Sequence, residues 1–304
     1  MSDIDVLVYI DGERMQVMGD VILKSGEYSA CEAAFSVRGN DVRVGGKAEI
    51  FSSGRCVFSG VVFSVTRTGD TGECVAYDAI RYLQGRGAFS FSSVTASAVV
   101  RAVSAMYGIG IGYIEETGYR MESLQDDIGA IDIIKDAIEM TEDAGFGRFV
   151  LRCEGGKLTL LPFDKTVCGY VIGPETASEF SVTESMGNGK YNHATLVRDT
   201  DDGRRIFVAE DVEDIKKYGM LSYMRRLRSG EIGQLAASAV VRSSSGTGMT
   251  VRCVLPRTVP ELFGGCGGIV KIGGDERVMR CVSCVNVYGQ APRCVAVFEK
   301  ERIL

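Results

Sequence analysis

A chain of 304 residues, 45% hydrophobic and 24% charged, is long enough for two or three domains and a substantial buried core. No run of eighteen apolar residues occurs; Ala96 to Ile114 comes nearest and is broken by Arg101, Gly and Ser, which excludes a membrane-spanning helix. A net charge of −6, with no basic cluster larger than the Arg225-Arg226-Leu227-Arg228 group, speaks against a dedicated nucleic-acid binder, whose affinity rests on neutralising phosphates.

The opening MSDIDVLVYI has acids where a secretory signal would have bases, so no export signal is expected. Residues 5–75 read as strands. DVLVYI meets an Asp11-Gly12 hairpin turn and then ERMQVM. VILKSG, ACEAAFSVRG, KAEIFSS, RCVFSGVVFSVTRTG and ECVAYD follow between Gly, Asn, Asp and Ser turns, the pattern of a small barrel or sandwich. Gly60, inside RCVFSGVVF, fits a bulge or a barrel-corner bend.

A helical unit interrupts this pattern. Thr95 is placed to cap a helix running to Tyr107, with Val99, Val103 and Met106 or Tyr107 on one face and Gly108 as its stop. The spacing of Ile131, Ile134, Ala137 and Ile138 predicts a second helix over 130–144, ending at Gly145. GRFVLRC and KLTLLP then form a hairpin around Glu154-Gly155-Gly156. Strand patterns return from about 167 in CGYVIG, EFSVTE, KYNHATLVRD and RRIFVAE, the last two joined by Asp201-Asp202-Gly203. Asp211 and Gly219 bound a short helix over 211–219. A longer one is expected over 229–243, burying Ile232, Leu235, Ala236, Ala239 and Val240. GMTVRCVLP, GGIVKIGG, ERVMRCVSCVNVYG and PRCVAVFEK close the chain as strands.

Chemistry is sparse. His193 is the single histidine, so any Ser or Cys nucleophile would depend on it, and no GxSxG elbow occurs. GIGIG (108–112) and GGCGG (264–268) lack dinucleotide spacing and read as turns. The acids Glu115-Glu116, Asp126-Asp127, Glu142-Asp143 and Asp199, Asp201, Asp202 are placed in loops or at helix ends, without apolar surroundings to raise a carboxyl pKa. DTDDG (199–203) lacks the later ligands of a calcium loop. The ten cysteines, Cys31, Cys56, Cys74, Cys153, Cys168, Cys253, Cys266, Cys281, Cys284 and Cys294, sit mostly in apolar strand runs and are expected to be reduced packing residues. Cys281 and Cys284 have CxxC spacing but no second pair, and a regular strand would point them to opposite faces. No catalytic, cofactor-binding or metal-binding residue is therefore assigned, and no cofactor is expected.

The stretch AYDAIRYLQGRGAFSFSSVTASAVVRAVSAMYGI resembles a signature of the baseplate hub proteins of contractile phage tails and phage-tail-like bacteriocins of Gram-positive bacteria. The matching residues are Tyr77, Asp78, Tyr82, Leu83, Phe89, Phe91, Thr95, Ala96, Ser97, Tyr107 and Gly108. RCVFSGVVFSV (55–65), IIKDAIEMT (133–141) with FVLRCEGGKLTLLP, DVEDIKKYGML (211–221) and the closing strands extend the resemblance over roughly 50–304. Family members often carry a longer or more basic C-terminal tail, whereas this sequence stops at ERIL.

The resemblance implies an α+β, mainly β fold: a tube-like β-barrel over 1–76, an α/β insert domain over 77–182, and a second tube-like barrel over 183–304. It also implies a structural, non-enzymatic hub: three copies forming a pseudo-sixfold ring between a hexameric tail tube and a trimeric central spike. Expected partners are further copies of the chain, the spike, the tube or tube-initiator protein, and the tape-measure protein and baseplate wedge, with no membrane and no specific nucleic acid. The expected location is the baseplate of a particle assembled in the bacterial cytoplasm and released by lysis. The insert, without chemistry, would act as a bracket. A tail-tip cell-wall hydrolase is the alternative, and an OB-like nucleic-acid module a third reading.

Overall fold

A computed structural model describes residues 6–39, 42–187 and 189–300, less the side chain of Gln125. The opening MSDID and the closing ERIL lie outside the described residues. The chain is mainly β with four α-helices among those residues, as the α+β reading expects. Its strands form one 13-stranded sheet and three small ones.

The large sheet contains two sets of six strands in one spatial order. The first runs Val6–Ile10, Lys47–Ser52, Arg55–Thr68, Thr71–Tyr77, Glu32–Arg38, Val21–Gly26. The second runs Cys168–Ile172, Gly267–Ile272, Asp275–Tyr288, Arg293–Lys300, Gly248–Leu255, Glu179–Ser185. Each set is built around a 14-residue strand entered through a two-residue turn with positive φ at both positions, Ser53-Gly54 in one and Gly273-Gly274 in the other. Each long strand bulges on its other edge at one equivalent residue, Phe63 in the first and Val282 in the second, and the first bulges again at Val57. The outer strands differ: Val6–Ile10 runs antiparallel to its neighbour, Cys168–Ile172 parallel.

Among the described residues neither set closes through a continuous ladder. The first curls until Val17 meets Val37 in a single bridge, where Met18 N–H donates to Ser36 O (2.7 Å) and Arg38 N–H to Gln16 O (2.9 Å). Val21–Gly26 then pairs with Glu32–Arg38 on one edge and with Ser283–Tyr288 on the other. The expected barrels are thus two curled halves of one sheet, because this strand's second edge is filled by the other unit.

Alternation builds both cores. In Glu32–Arg38 every second side chain (Ala33, Phe35, Val37) is buried against Val8, Ile50 and Phe58. Val251, Cys253, Leu255, Cys281, Cys284 and Phe298 fill the second core. Fully burying one such side chain contributes about 1.5–3 kcal/mol. Gly60 lies between the bulges rather than in one, and a Cβ there would stand 2.2 Å from Tyr77 O. Close approach of two backbones, not a bulge, explains that glycine.

The middle region follows its helical signals. Helix α1, Ala96–Met106, is capped by Thr95 and buries Val99, Val100 and Val103. At its end Tyr107 packs on the core and Met106 is exposed. Helix α2, Ala130–Asp143, buries Ile131, Ile133, Ile134, Ala137 and Ile138, and the chain turns out at Gly145 (φ 81°). Gly110–Ile114 is a strand pairing parallel with Lys157–Pro162, so GIGIG is partly strand, not turn. GGCGG divides likewise: Gly265 turns with φ 97°, while Gly267 and Gly268 open a strand.

Between Glu179–Ser185 and Gly248–Leu255, the second and third strands of the second set in chain order, the chain inserts a three-stranded sheet and two helices. The strands are His193–Thr200, Gly203–Glu210 and Ser222–Arg226. Helix α3, Val212–Tyr218, is capped by Asp211 and stopped by Gly219 (φ 80°). Helix α4, Gly233–Ser244, starts later than the 229 expected because Gly230 adopts φ 77°. Its buried face is Gly233, Ala236, Ala237, Val241 and Ser244 as well as Ala239, while Ile232 is exposed.

Candidate functional site

The groups considered for catalysis do not converge. His193 opens the inserted sheet, half-buried, with Nδ1 unpartnered. Glu115 accepts from the Tyr113 hydroxyl (2.7 Å) and pairs with Lys165; Glu116 pairs with Arg101 (2.6 Å) and accepts from Ser97. Asp199 pairs with Arg204 (2.7 Å) and Arg226 (3.1 Å). Those hydrogen bonds hold all three carboxyls below their ordinary range, opposite to what a general acid needs. Asp126 and Asp127 lie on a strand, Met121–Gly129, rather than in a loop, and Glu142 is buried on α2. The sequence signal missed the strand because nine residues rich in Asp, Gln and Ser lack the β-branched pattern.

The raised carboxyls lie elsewhere. Burial lifts Asp78 from 3.8 to about 7, partly offset by backbone donors, including the Ile80 N–H at 3.0 Å. Asp78 caps a 3-10 turn, Ala79–Gln84, whose Ile80 and Leu83 enter the core of the middle region, and its own N–H donates to Cys31 O. Tyr77 donates to Glu32 (2.8 Å), Thr95 caps α1, and Gly108 takes φ 64°. The 77–109 stretch therefore stitches the first sheet to the helical region. A cavity of about 80 Å³ lies beside Asp78, lined also by Cys31, Arg152, Asn286 and Tyr288. That is room for two or three waters at about 30 Å³ each.

Cysteine placement corrects one expectation. The bulge at Val282 shifts the alternation, so Cys281 and Cys284 both face the second core instead of opposite faces. Cys168, Cys253, Cys266 and Cys294 share that core, with Cys284 and Cys294 sulfurs 3.5 Å apart. Burial pushes the Cys253 thiol up to about 12, away from the reactive thiolate. Among the described residues no three His, Cys, Asp or Glu side chains gather as a metal would require.

What does converge is bracing. Gly264 passes so near the first unit that a Cβ would stand 2.1 Å from Gly26 C. Glu27 beside it is held by Arg148 (2.8 Å) and Arg280. Arg228 joins α2 to the inserted sheet, bonding Asp136 (2.5 Å), Glu139 (2.8 Å) and Glu231 (2.7 Å), while Arg225 grips Glu231 with both nitrogens. Burial would raise Glu231, but the bonds from Arg225 and the charges of Arg228 and Arg225 prevail and hold it at about 2. Sequence showed the basic group at 225–228 without its acids, since Asp136 and Glu139 are some ninety residues distant.

Two like sheets fused along a strand seam and braced by buried ion pairs define a scaffold built for packing, with the fold of phage tail proteins. Residues 23–243 match the family model described as YQBQ-like, and the chain belongs to that family. It is similar to the phage-like element PBSX protein XkdQ of Bacillus subtilis strain 168, 26% identical over 183 residues, or 56% of this chain and 53% of that protein. The matched part thus spans about half the length of that relative. Among solved structures, the prophage MuSo2 43 kDa tail protein from Shewanella oneidensis superposes with a TM-score of 0.70, 14% identity and 98% of each chain covered. The Escherichia coli c3393 protein, a type VI secretion component described as similar to the T4 tail proteins gp27 and gp5, gives 0.56 at 9% identity, covering 98% of this chain and 77% of that one.

Proposed function

We propose that this protein is a structural baseplate hub of a contractile tail or phage-tail-like particle, without catalytic, cofactor or metal residues. The observation that carries the reading is the internal doubling: one chain holds two six-stranded units of the same order, turn and bulge. Three copies then present six like units, which fits a trimeric spike on one side and a hexameric tube on the other. A head-to-tail interface of this kind closes into a ring when its rotation fits. The two six-stranded units, the second taking in Cys168–Ile172 and Glu179–Ser185, form the ring, and the helical region between them brackets it from outside. The net charge of −6 suits a conduit, since a wall with few bases does not hold passing phosphate.

The partners are further copies of the chain, the central spike and the tube or tube-initiator protein, with the tape-measure protein and baseplate wedge in reach. The particle is assembled in the cytoplasm and freed by lysis. The names of the similar tail proteins support this placement. Quantitative mass spectrometry of purified particles tests it: three copies of the chain per three spike chains are expected, and a copy number of sheath scale refutes the hub.

A further inference from the structure

Within one chain, the seam between the two units is a strand pairing. Val21–Gly26, the last strand of the first set, lies antiparallel to Ser283–Tyr288, the free half of the second set's long strand. The same two edges exist once more and, among the described residues, are unfilled. Glu179–Ser185, the last strand of the second set, pairs on one side only, with Gly248–Leu255. From Phe63 onward, the long strand of the first set pairs only with Thr71–Tyr77.

From Val62 and Cys281 onward the two long strands are equivalent residue by residue. Gly45 N–H donates to Val62 O (2.8 Å) and Val62 N–H to Gly46 O (2.9 Å). In the second set Gly265 N–H donates to Cys281 O (2.7 Å) and Cys281 N–H to Cys266 O (2.8 Å). The Arg67 side chain bonds Val42 O, as the Asn286 side chain bonds Val259 O. With the bulges Phe63 and Val282 superposed, Ser64 stands for Ser283 and Thr66 for Val285. The last strands align through their neighbours, so Val182 stands for Leu23 and Thr183 for Lys24.

Burial follows the pairing. Leu23 is 7% exposed in the filled seam, whereas its counterpart Val182 is 39% exposed. Asn286, Val287 and Tyr288 are buried, whereas Arg67 and Thr68 are exposed. An open strand edge with an apolar residue is a surface that another strand fills.

We propose that Glu179–Ser185 of one copy pairs antiparallel with Phe63–Thr68 of the next, repeating between copies the seam seen within the chain. The register sets Thr66 opposite Thr183, Val65 opposite Glu184 and Ser64 opposite Ser185. This inference rests on the ring reading and supplies its contact. Each copy donates one strand and receives one, so a closed ring leaves neither edge bare.

Thr66 and Thr183 are both exposed, so charges there leave the fold intact, which circular dichroism confirms. Sedimentation of the full chain over a concentration series up to about 1 mM reads the result. The wild type is expected to trimerise. Thr66→Lys with Thr183→Lys sets like charges opposite and shifts the assembly midpoint at least tenfold higher, whereas Thr66→Lys with Thr183→Glu restores it. Trimers equally stable in all three overturn the strand pairing and leave the ring standing. A wild type monomeric throughout the series also overturns the pairing, while the copy number in particles still decides the hub.

Discussion

The two sheet units share strand order, the turn into the long strand and the bulge at Phe63 or Val282, yet their contents diverge. The first fills its core with Val8, Ile50, Phe35 and Phe58; the second uses Phe298 and six cysteines. The first passes from Val21–Gly26 to Glu32–Arg38 by a short loop, where the second carries the whole insertion from His193 to Ser244. Register and bulge are therefore the fixed quantities, because a one-residue slip would turn every side chain to the wrong face. Core identity is free so long as volume is kept. Loop length is freer still, since loop entropy grows slowly with length.

The insertion offers the sharpest way to break the comparison. Arg228→Ala leaves Glu231 and Asp136 short of their counter-charge inside the protein and should cost about 3–5 kcal/mol. Hydrogen exchange should then rise across 193–244 while the first sheet stays protected; uniform loosening would mean that the insertion is not a separable addition. The seam itself comes next. Gly264→Ala drives a Cβ into the backbone of Gly26 and Glu27 and should destabilise by about 2–3 kcal/mol, read by denaturant unfolding. A neutral outcome would show that the units are not tightly fused there.

Asp78 tests the stitch between the first unit and the helical region. A carboxyl raised from 3.8 to about 7 keeps its proton in the fold after the unfolded chain has lost its own. The folded state thus binds more protons between about pH 4 and 7, and stability falls as pH rises through that window, by on the order of 2–4 kcal/mol. Asp78→Asn should flatten that slope in thermal melts taken across the window. The smallest effect concerns the cores: brief alkylation of native protein should label the exposed Cys56 and spare the buried thiols of the second unit, with all ten reacting after unfolding.

Much of this was legible in the chain. Asp11-Gly12, the Thr95 and Asp211 caps, the isoleucine spacing of α2 and the Gly145 and Gly219 stops all stand where local chemistry puts them. The missed features depend on distant partners. Met121–Gly129 is a strand because Arg86–Val94 pairs with it, not because of its composition. Gly110–Ile114 is glycine-rich yet paired, with Thr159 Oγ1 2.7 Å from where a Cβ on Gly112 would stand. The doubling was expected as two barrels, but which strands correspond was not legible because strand order, not sequence, repeats. The resemblance at 77–109 was readable as a motif, but its role as a stitch needed Cys31 and Glu32, some forty-five residues earlier.

The central claim is that one chain supplies two of six like positions in a ring. Electron microscopy of the assembled baseplate, reconstructed without imposed symmetry, tests it most directly. The account predicts three copies around the axis, with the two units of each alternating at six positions between tube and spike. Six copies in a true sixfold ring, or the chain lying on the sheath or the tail fibres, would contradict it.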